Sequence, residues 1–283
     1  MLMVVFISID WGDGMKEIDE LKEDKKSGAQ EIVEKAGKII LQYLEEGDED
    51  EVERICLDLI KAHPSMAPLW NLTNIALCYD ASEVKKFLKD NEKKIIALGK
   101  EVLKDASIFI THSRSSTVVK LLREIGKERE IEVTCTESRP MCEGKLLAEE
   151  IACPSIKVTL VIDSAIFSFI DKADAIVVGA DAITLKGIVN KIGTHAIAFL
   201  ARKNSVPFYV VSQTQKIFPW VKIEESLEKH GRMEIKNIYF DVTPLSLVTA
   251  IITNEGLLKE NDVKKRCKCM KISPLIKKLW EEI

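Results

Sequence analysis

Nowhere in the 283 residues do apolar side chains run unbroken for the roughly 20 positions a membrane-crossing helix needs, so no membrane partner is expected. Charge of one sign is not in excess either. The 41 lysines and arginines are balanced by 45 aspartates and glutamates, a formal net charge of -4, so no global field draws nucleic acid and no direct nucleic-acid contact is expected. Histidine is scarce: His63, His112, His195 and His230 are too scattered to form a ligand set, and Cys267 with Cys269 has no second pair nearby, so neither a metal nor a cofactor is expected. The chain also lacks G-x-x-x-x-G-K-[ST], and no G-x-G-x-x-G follows a strand, which leaves P-loop and dinucleotide sites unsupported. The seven cysteines are odd in number and sit in apolar surroundings, and no secretory signal with a cleavage site is recognisable. A reducing cytoplasmic location is expected.

What is present is a soluble composition, 46% hydrophobic and 30% charged, long enough for one large domain or two modest ones. Residues 1–14 are short and apolar, then acidic, and read equally as an extra strand or as a leader outside the native chain. From 15 to 105 the rhythm is helical, with Ile18, Leu21, Ile32, Ala36, Ile39, Ile40 and Leu44 at three- and four-residue steps. Four or five helices are expected, with Ser27 and Gly28 capping the second and a long one over 81–103. After Asp105 short apolar runs alternate with amphipathic stretches, the pattern of stacked βα units. Strands are expected at 107–111, 131–136, 157–163, 175–180, 207–211 and 249–253, with helices at 116–127, 144–151, 165–170 and 194–204. The fold class is therefore α/β: a helical amino-terminal domain over 15–105, then a Rossmann-like parallel-sheet domain over 106–283, its tail docking as a terminal helix.

Ligands collect at the carboxyl ends of parallel strands, where loops converge and helix amino termini point free N–H groups. After the first strand comes T-H-S-R-S-S, in which Thr111, His112, Ser113, Arg114 and Ser115 offer hydroxyls and a cation to a phosphate; Ser115 or Ser116 equally serves as a helix cap. After the second, Glu137 and Arg139 bind a ligand or form a local ion pair, with Cys142 nearby. Asp163 ends the third strand and is a candidate cap. The fourth ends in G-A-D, placing Asp181 well for proton transfer. Asn190, Lys191, Gly193 and Thr194 then supply amide, ammonium, close backbone approach and hydroxyl at a helix start, a phosphate cradle.

Taken together, THSRSST, ESRPMCEGKLLAEE, DSAIFSFI, VVGADAI, GIVNKIGTH, VPFYVV and FDVTP, in that order, closely resemble one superfamily. It contains the alpha, beta and delta regulatory subunits of translation initiation factor 2B, ribose-1,5-bisphosphate isomerase and methylthioribose-1-phosphate isomerase, and the archaeal members are nearest in character. The resemblance runs from about Ser27 to Ile252. It implies a helical amino-terminal domain, a Rossmann-like domain, and a homodimer or higher oligomer.

The same resemblance implies either regulation or catalysis. The isomerases move a proton between C1 and C2 of a sugar phosphate, with a cysteine after the T-H of the first loop and an aspartate in G-A-D. Here the aspartate is Asp181, and the cysteine position is Ser113, a far weaker base than a thiolate. Cys142 either replaces the missing thiol or packs. The isomerases' R-G-A and R-P-T-A-V correspond to Ser27-Gly28-Ala29 and His63-Pro64-Ser65-Met66-Ala67, so two phosphate-holding arginines are absent unless Arg114, Lys25 or Lys26 compensates. The leading expectation is an initiation-factor-2B-like regulatory subunit that binds a sugar phosphate or nucleotide, with Ser27, Gly28 and His63 completing the site and initiation factor 2 as partner. The alternatives are a pentose-phosphate aldose-ketose isomerase using Asp181, Ser113 and Cys142, and a metabolite-sensing module outside translation.

Overall fold

The computed structural model describes residues 11–24, 29–89, 91–223 and 225–283, which form two compact units: the chain up to Lys89 with Lys271–Ile283, and Asp90–Met270.

The first unit is helical: α1 (Trp11–Glu23), α2 (Ala29–Glu46), α3 (Glu49–Ala62), α4 (Ala67–Cys78) and α5 (Ala81–Leu88). Asp48 caps α3 by accepting the Glu51 N–H, Asp80 caps α5 by accepting those of Ser82 and Glu83, and Pro68 sits in the first turn of α4, where no donor is missed. Ile18, Ile32, Ala36, Ile40, Ile55 and Leu59 share one buried core, as their spacing requires. The long helix expected over 81–103 is two. Lys89 is extended and Asn91 takes the cap position of α6 (Glu92–Val102), whose Ile95 packs with the sheet instead.

The second unit is built on a seven-stranded sheet. Among the described residues its strands in chain order are β1 (Ile108–Thr111), β2 (Ile131–Thr136), β3 (Ile156–Val161), β4 (Ala175–Val178), β5 (Ala182–Ile183), β6 (Ile188–Lys191), β7 (Phe208–Val211), β8 (Glu225–His230), β9 (Met233–Ile238), β10 (Phe240–Thr243), β11 (Ala250–Thr253) and β12 (Gly256–Leu258). The main sheet runs β12-β11-β7-β4-β1-β2-β3, all parallel except β12, and contains the six strands expected over 107–253; of the stretch 1–14, read as an extra strand or a leader, 1–10 lie outside the described residues and 11–14 begin α1. Helices α6, α7 (Ser116–Gly126) and α8 (Glu143–Ile151) share a core with Phe109, Val133, Cys135, Val177 and Ile252. The opposite face carries Ile110, Ile176, Val178, Val210 and Ile251, packed with α9 (Thr194–Lys203) and α10 (Glu260–Cys269). Strands buried on both faces read as unbroken apolar runs, which is why the sequence exposed them.

Other expectations need correction. The helix expected at 165–170 is a pair of 3-10 turns, Asp163–Ser168 and Ile170–Lys172. The stretch 187–194, read as a loop, contains β6 of a small antiparallel sheet ordered β10-β6-β5, and β8 with β9 form a separate hairpin. β6, β8, β9 and β10 mix polar or charged residues with apolar ones, and β5 is only two residues long, so no apolar run announces them. The tail forms two helices: α10 with the sheet, and α11 (Pro274–Glu282) in the helical unit, where Trp280 meets Trp70 edge-on at 5.7 Å and Asn74 bonds the backbone of Lys271 and Ser273.

Strands β1, β2 and β3 step across the sheet one way and β4, β7 and β11 the other, so the order reverses between β1 and β4. In open parallel sheets such a switch point is where loops diverge and where ligand crevices form. The start of α8 is pressed against the end of β2: a Cβ built on Gly144 would lie 1.8 Å from the Thr136 carbonyl oxygen. Gly144→Ala is expected to overpack this junction and to cost about 1–3 kcal/mol or more in a denaturant titration; wild-type stability would contradict the fit described.

Candidate functional site

Three elements converge at the switch point. The loop leaving β1 turns through Ser113, which has φ +66° and whose N–H donates to Ser138 Oγ at 2.7 Å. Its hydroxyl donates to Glu143 Oε1 at 3.3 Å, and the same oxygen accepts from Lys191 Nζ at 2.7 Å. Glu143 opens α8 and Lys191 ends β6, so the pair fastens the small sheet to the large one. Lys191 is only 5% exposed and lies over the Phe240 ring, 5.1 Å from its centroid, a setting that replaces part of its lost hydration. Two buried oxygens, Thr111 Oγ1 and Glu143 Oε2, have no hydrogen-bond partner among the described residues, an uncommon state for buried polar atoms.

Across the switch point stands Asp181, following Gly179 and Ala180. The β1 and β4 loops touch here; a side chain at Gly179 would collide with Ser115 Cβ at 2.6 Å. Asp181 is exposed to solvent, yet protein atoms crowd around its carboxyl. That desolvation pushes its carboxyl above the usual aspartate range, against the pull of the Lys216 and Lys191 ammoniums. Lys216 donates to the Ala180 carbonyl at 2.6 Å, and desolvation holds its ammonium below the usual lysine range despite Asp181. The floor thus offers two ammoniums and two carboxylates.

His112 stands beneath this floor. Its Nε2 lies 2.8 Å from the Ile192 carbonyl, which only accepts, so Nε2 carries the proton and Nδ1, 2.5 Å from Thr136 Oγ1, accepts. Burial pushes the imidazole below its ordinary 6.5, so it is neutral and fully engaged.

Several candidates do other work. Arg114 forks onto the carboxylate of Glu150 through Nε at 3.0 Å and Nη2 at 2.8 Å, and Ser115 caps α7 by accepting the Val118 N–H. Glu137 pairs with Lys145 at 3.3 Å rather than with Arg139, which is exposed, with Nη1 3.7 Å from Cys142 Sγ; Cys142 adopts a left-handed conformation just before α8. Asp163 does not cap the turn that follows it. It accepts the N–H groups of Ser138 at 2.7 Å and Arg139 at 2.8 Å, pinning the loop beside Ser113. The expected cradle at the start of α9 is filled from within. Asp241 on β10 accepts from the N–H groups of Gly193 at 2.8 Å and His195 at 3.1 Å, while the Thr194 hydroxyl bonds Lys191 O and receives Asn190 Nδ2 at 3.0 Å. Of that quartet Lys191 alone faces the carboxylates of the crevice. His63 is buried in the helical unit with Nε2 2.7 Å from the Leu21 carbonyl; Ser27 and Gly28 lie outside the described residues.

The sequence reading missed Glu143, Lys216 and Asp241. Lys216 was detectable: it follows β7 in V-S-Q-T-Q-K, at another parallel strand end, where the rule used for the other loops applies. Glu143 and Asp241 act through partners some 40 residues or more away (Lys191, Gly193), which local spacing does not reveal.

The family model described as "Initiation factor 2 subunit family" matches residues 14–260. The chain belongs to that family. Within it, the chain is 34% identical over 260 residues to a putative translation initiation factor eIF-2B subunit 2-like protein of Pyrococcus horikoshii, covering 84% of this chain and 94% of that one. It is 32% identical over 285 residues to a ribose 1,5-bisphosphate isomerase of Archaeoglobus fulgidus, covering 86% and 90%. Its fold matches the crystal structure of the translation initiation factor eIF-2B of Pyrococcus horikoshii OT3 with a TM-score of 0.73 and 30% identity, over 87% of this chain and 97% of that one. A chain of the tetrameric eIF2B-beta2-delta2 complex from C. thermophilum matches with a TM-score of 0.70 over 91% of this chain and 94% of that one, and at 14% identity shares the fold alone. No helix among the described residues is long and apolar enough to cross a membrane.

A pH prediction follows from His112. Its folded pKa lies below the ordinary 6.5, so the unfolded chain takes up the proton first. The contribution to stability is complete above pH 6.5 and is lost as pH falls through the folded value, by up to about 1.4 kcal/mol per pH unit. Thermal melts between pH 7 and about pH 5 should therefore show a shallower decline in His112→Gln than in the wild type; equal slopes would contradict a neutral buried imidazole.

Proposed function

We propose that this chain is a regulatory subunit of the initiation factor 2B type that binds a sugar phosphate or nucleotide in the switch-point crevice without isomerising it. It works in the cytoplasm as a homodimer or larger assembly, with initiation factor 2 as its protein partner. The observation that carries this reading is Ser113. It occupies the position where the resembling isomerases carry a thiol, and its hydroxyl donates to a carboxylate that Lys191 already holds. His112, the neighbouring imidazole, has both ring nitrogens engaged. The imidazole is therefore not available to activate the hydroxyl, and the carboxylate that receives it is held by Lys191. Binding is better supplied. The ammoniums of Lys191 and Lys216 suit phosphate oxygens, and Asp181, Glu143 and Thr111 suit sugar hydroxyls.

One observation favours a second reading, a sugar-phosphate aldose-ketose isomerase. Asp181 has the raised pKa and crevice placement of an acid-base catalyst.

Incubation of the purified protein with ribose 1,5-bisphosphate, and separately with 5-methylthioribose 1-phosphate, followed by NMR, should return the aldose unchanged. Thermal-shift titration with sugar phosphates and nucleotides should give stabilisation that Lys216→Gln loses. Ketose formation that disappears in Asp181→Asn would overturn the regulatory reading in favour of the isomerase. Absence of any shift would overturn the ligand reading, and failure of immobilised protein to retain initiation factor 2 would remove the partner.

A further inference from the structure

Helices α6 and α7 lie side by side against the main sheet, and Gly99 lets them approach closely: a Cβ there would fall 2.8 Å from the Leu121 side chain. Outward of that contact the helices leave a groove of about 680 Å³. Residues three and four apart share a helix face. Lys93, Ile96, Ala97 and Lys100 accordingly line the groove from α6, and Val119, Lys120, Arg123 and Lys127 from α7. Its floor is apolar, with Val119 buried and Ile96 half-buried, and both walls are cationic. From Ser116 to Lys127 it follows α7 for about 16 Å, at about 1.5 Å per residue.

Six lysines and arginines face two carboxylates along this lining, in a chain whose net charge is -4. Arg114 is taken up by Glu150, and Lys100, Lys120 and Lys127 pair with Glu128, Glu92 and Glu124. Ion pairs at a surface hold weakly and exchange partners readily. Lys93 and Arg123 are exposed and form no salt bridge among the described residues.

We propose that this groove docks an acidic, amphipathic segment of a protein partner, with its apolar side chains on Ile96, Ala97 and Val119 and its carboxylates against the two rows of cations. Single-stranded nucleic acid is held on aromatic platforms, and the lining contains no aromatic ring. A compact phosphorylated molecule needs cations converging on one point, whereas here they are spread along a trough. The site is separate from the switch-point crevice, since none of Glu143, Asp181, Lys191 and Lys216 lines it.

The probe is a fluorescein-labelled synthetic helix with leucines on one face and glutamates flanking them, titrated with the full chain by fluorescence anisotropy. Binding should saturate and weaken as salt is raised. Lys93→Glu combined with Arg123→Glu should weaken it roughly tenfold or more, while Lys93→Arg combined with Arg123→Lys should preserve it. The same helix with lysines for glutamates should not bind. Lys216→Gln should bind the acidic helix as the wild type does, so the result stands apart from the fate of the crevice ligand. Failure of the acidic helix to bind, equal binding of the lysine helix, or unchanged affinity in the charge-reversed protein would overturn the site. Loss in Lys216→Gln would move the helix to the crevice and overturn it as well, and so would a labelled single-stranded oligonucleotide binding in the helix's place. Were the charge-reversed protein to unfold, Ala97→Glu, which sets a carboxylate in the groove from an exposed position, makes the same test.

Discussion

The contact between the Lys191 ammonium and the Glu143 carboxylate is the constraint on which the crevice depends. A parallel sheet by itself leaves its strand-end loops loosely ordered. Here one buried ion pair ties the small β10-β6-β5 sheet to the first residue of α8, and the Ser113 hydroxyl joins the same oxygen. Removing one partner of such a pair leaves an uncompensated buried charge, at a cost of about 3–5 kcal/mol, whereas the intact pair contributes little net stability. Its value lies in position. With Glu143 fixed, the β1 loop, the start of α8 and the end of β6 keep one relative arrangement, and Thr111 Oγ1 and Glu143 Oε2 keep hydrogen-bonding capacity that the protein itself does not use.

The rest of the neighbourhood spends its charges on itself. Asp241 neutralises the start of α9, Asp163 holds the backbone of the Ser138–Arg139 turn, and Arg114 lies on Glu150. What remains at the floor is Asp181, Lys216 and the Lys191–Glu143 pair. That set is well provided for holding a phosphorylated, hydroxylated molecule and poorly provided for activating Ser113, which is why binding and turnover separate in this account.

Much of this was legible in sequence, for a physical reason. Strands buried on both faces are apolar throughout, so 175–178 declares itself, and helix faces show in the spacing of Ile32, Ala36 and Ile40. Strand-end logic led to Thr111, Ser113, Asp181 and Lys191. Illegible were β6 and β10, whose I-V-N-K and F-D-V-T mix polar with apolar, and the break near Asn91, where local capping residues outweigh a continuing helical pattern. Partner choice was hidden as well. Nothing local tells that Arg114 turns to Glu150, 36 residues on, or that Asp241 fills a helix start 48 residues before it.

The most direct test is a crystal structure of the protein soaked with ribose 1,5-bisphosphate. The account predicts the intact aldose in the switch-point crevice, a phosphate within hydrogen-bond reach of Lys216 or Lys191 and a sugar hydroxyl on Asp181. Density for the ketose in that crevice, or ligand bound elsewhere with the crevice empty, would contradict it.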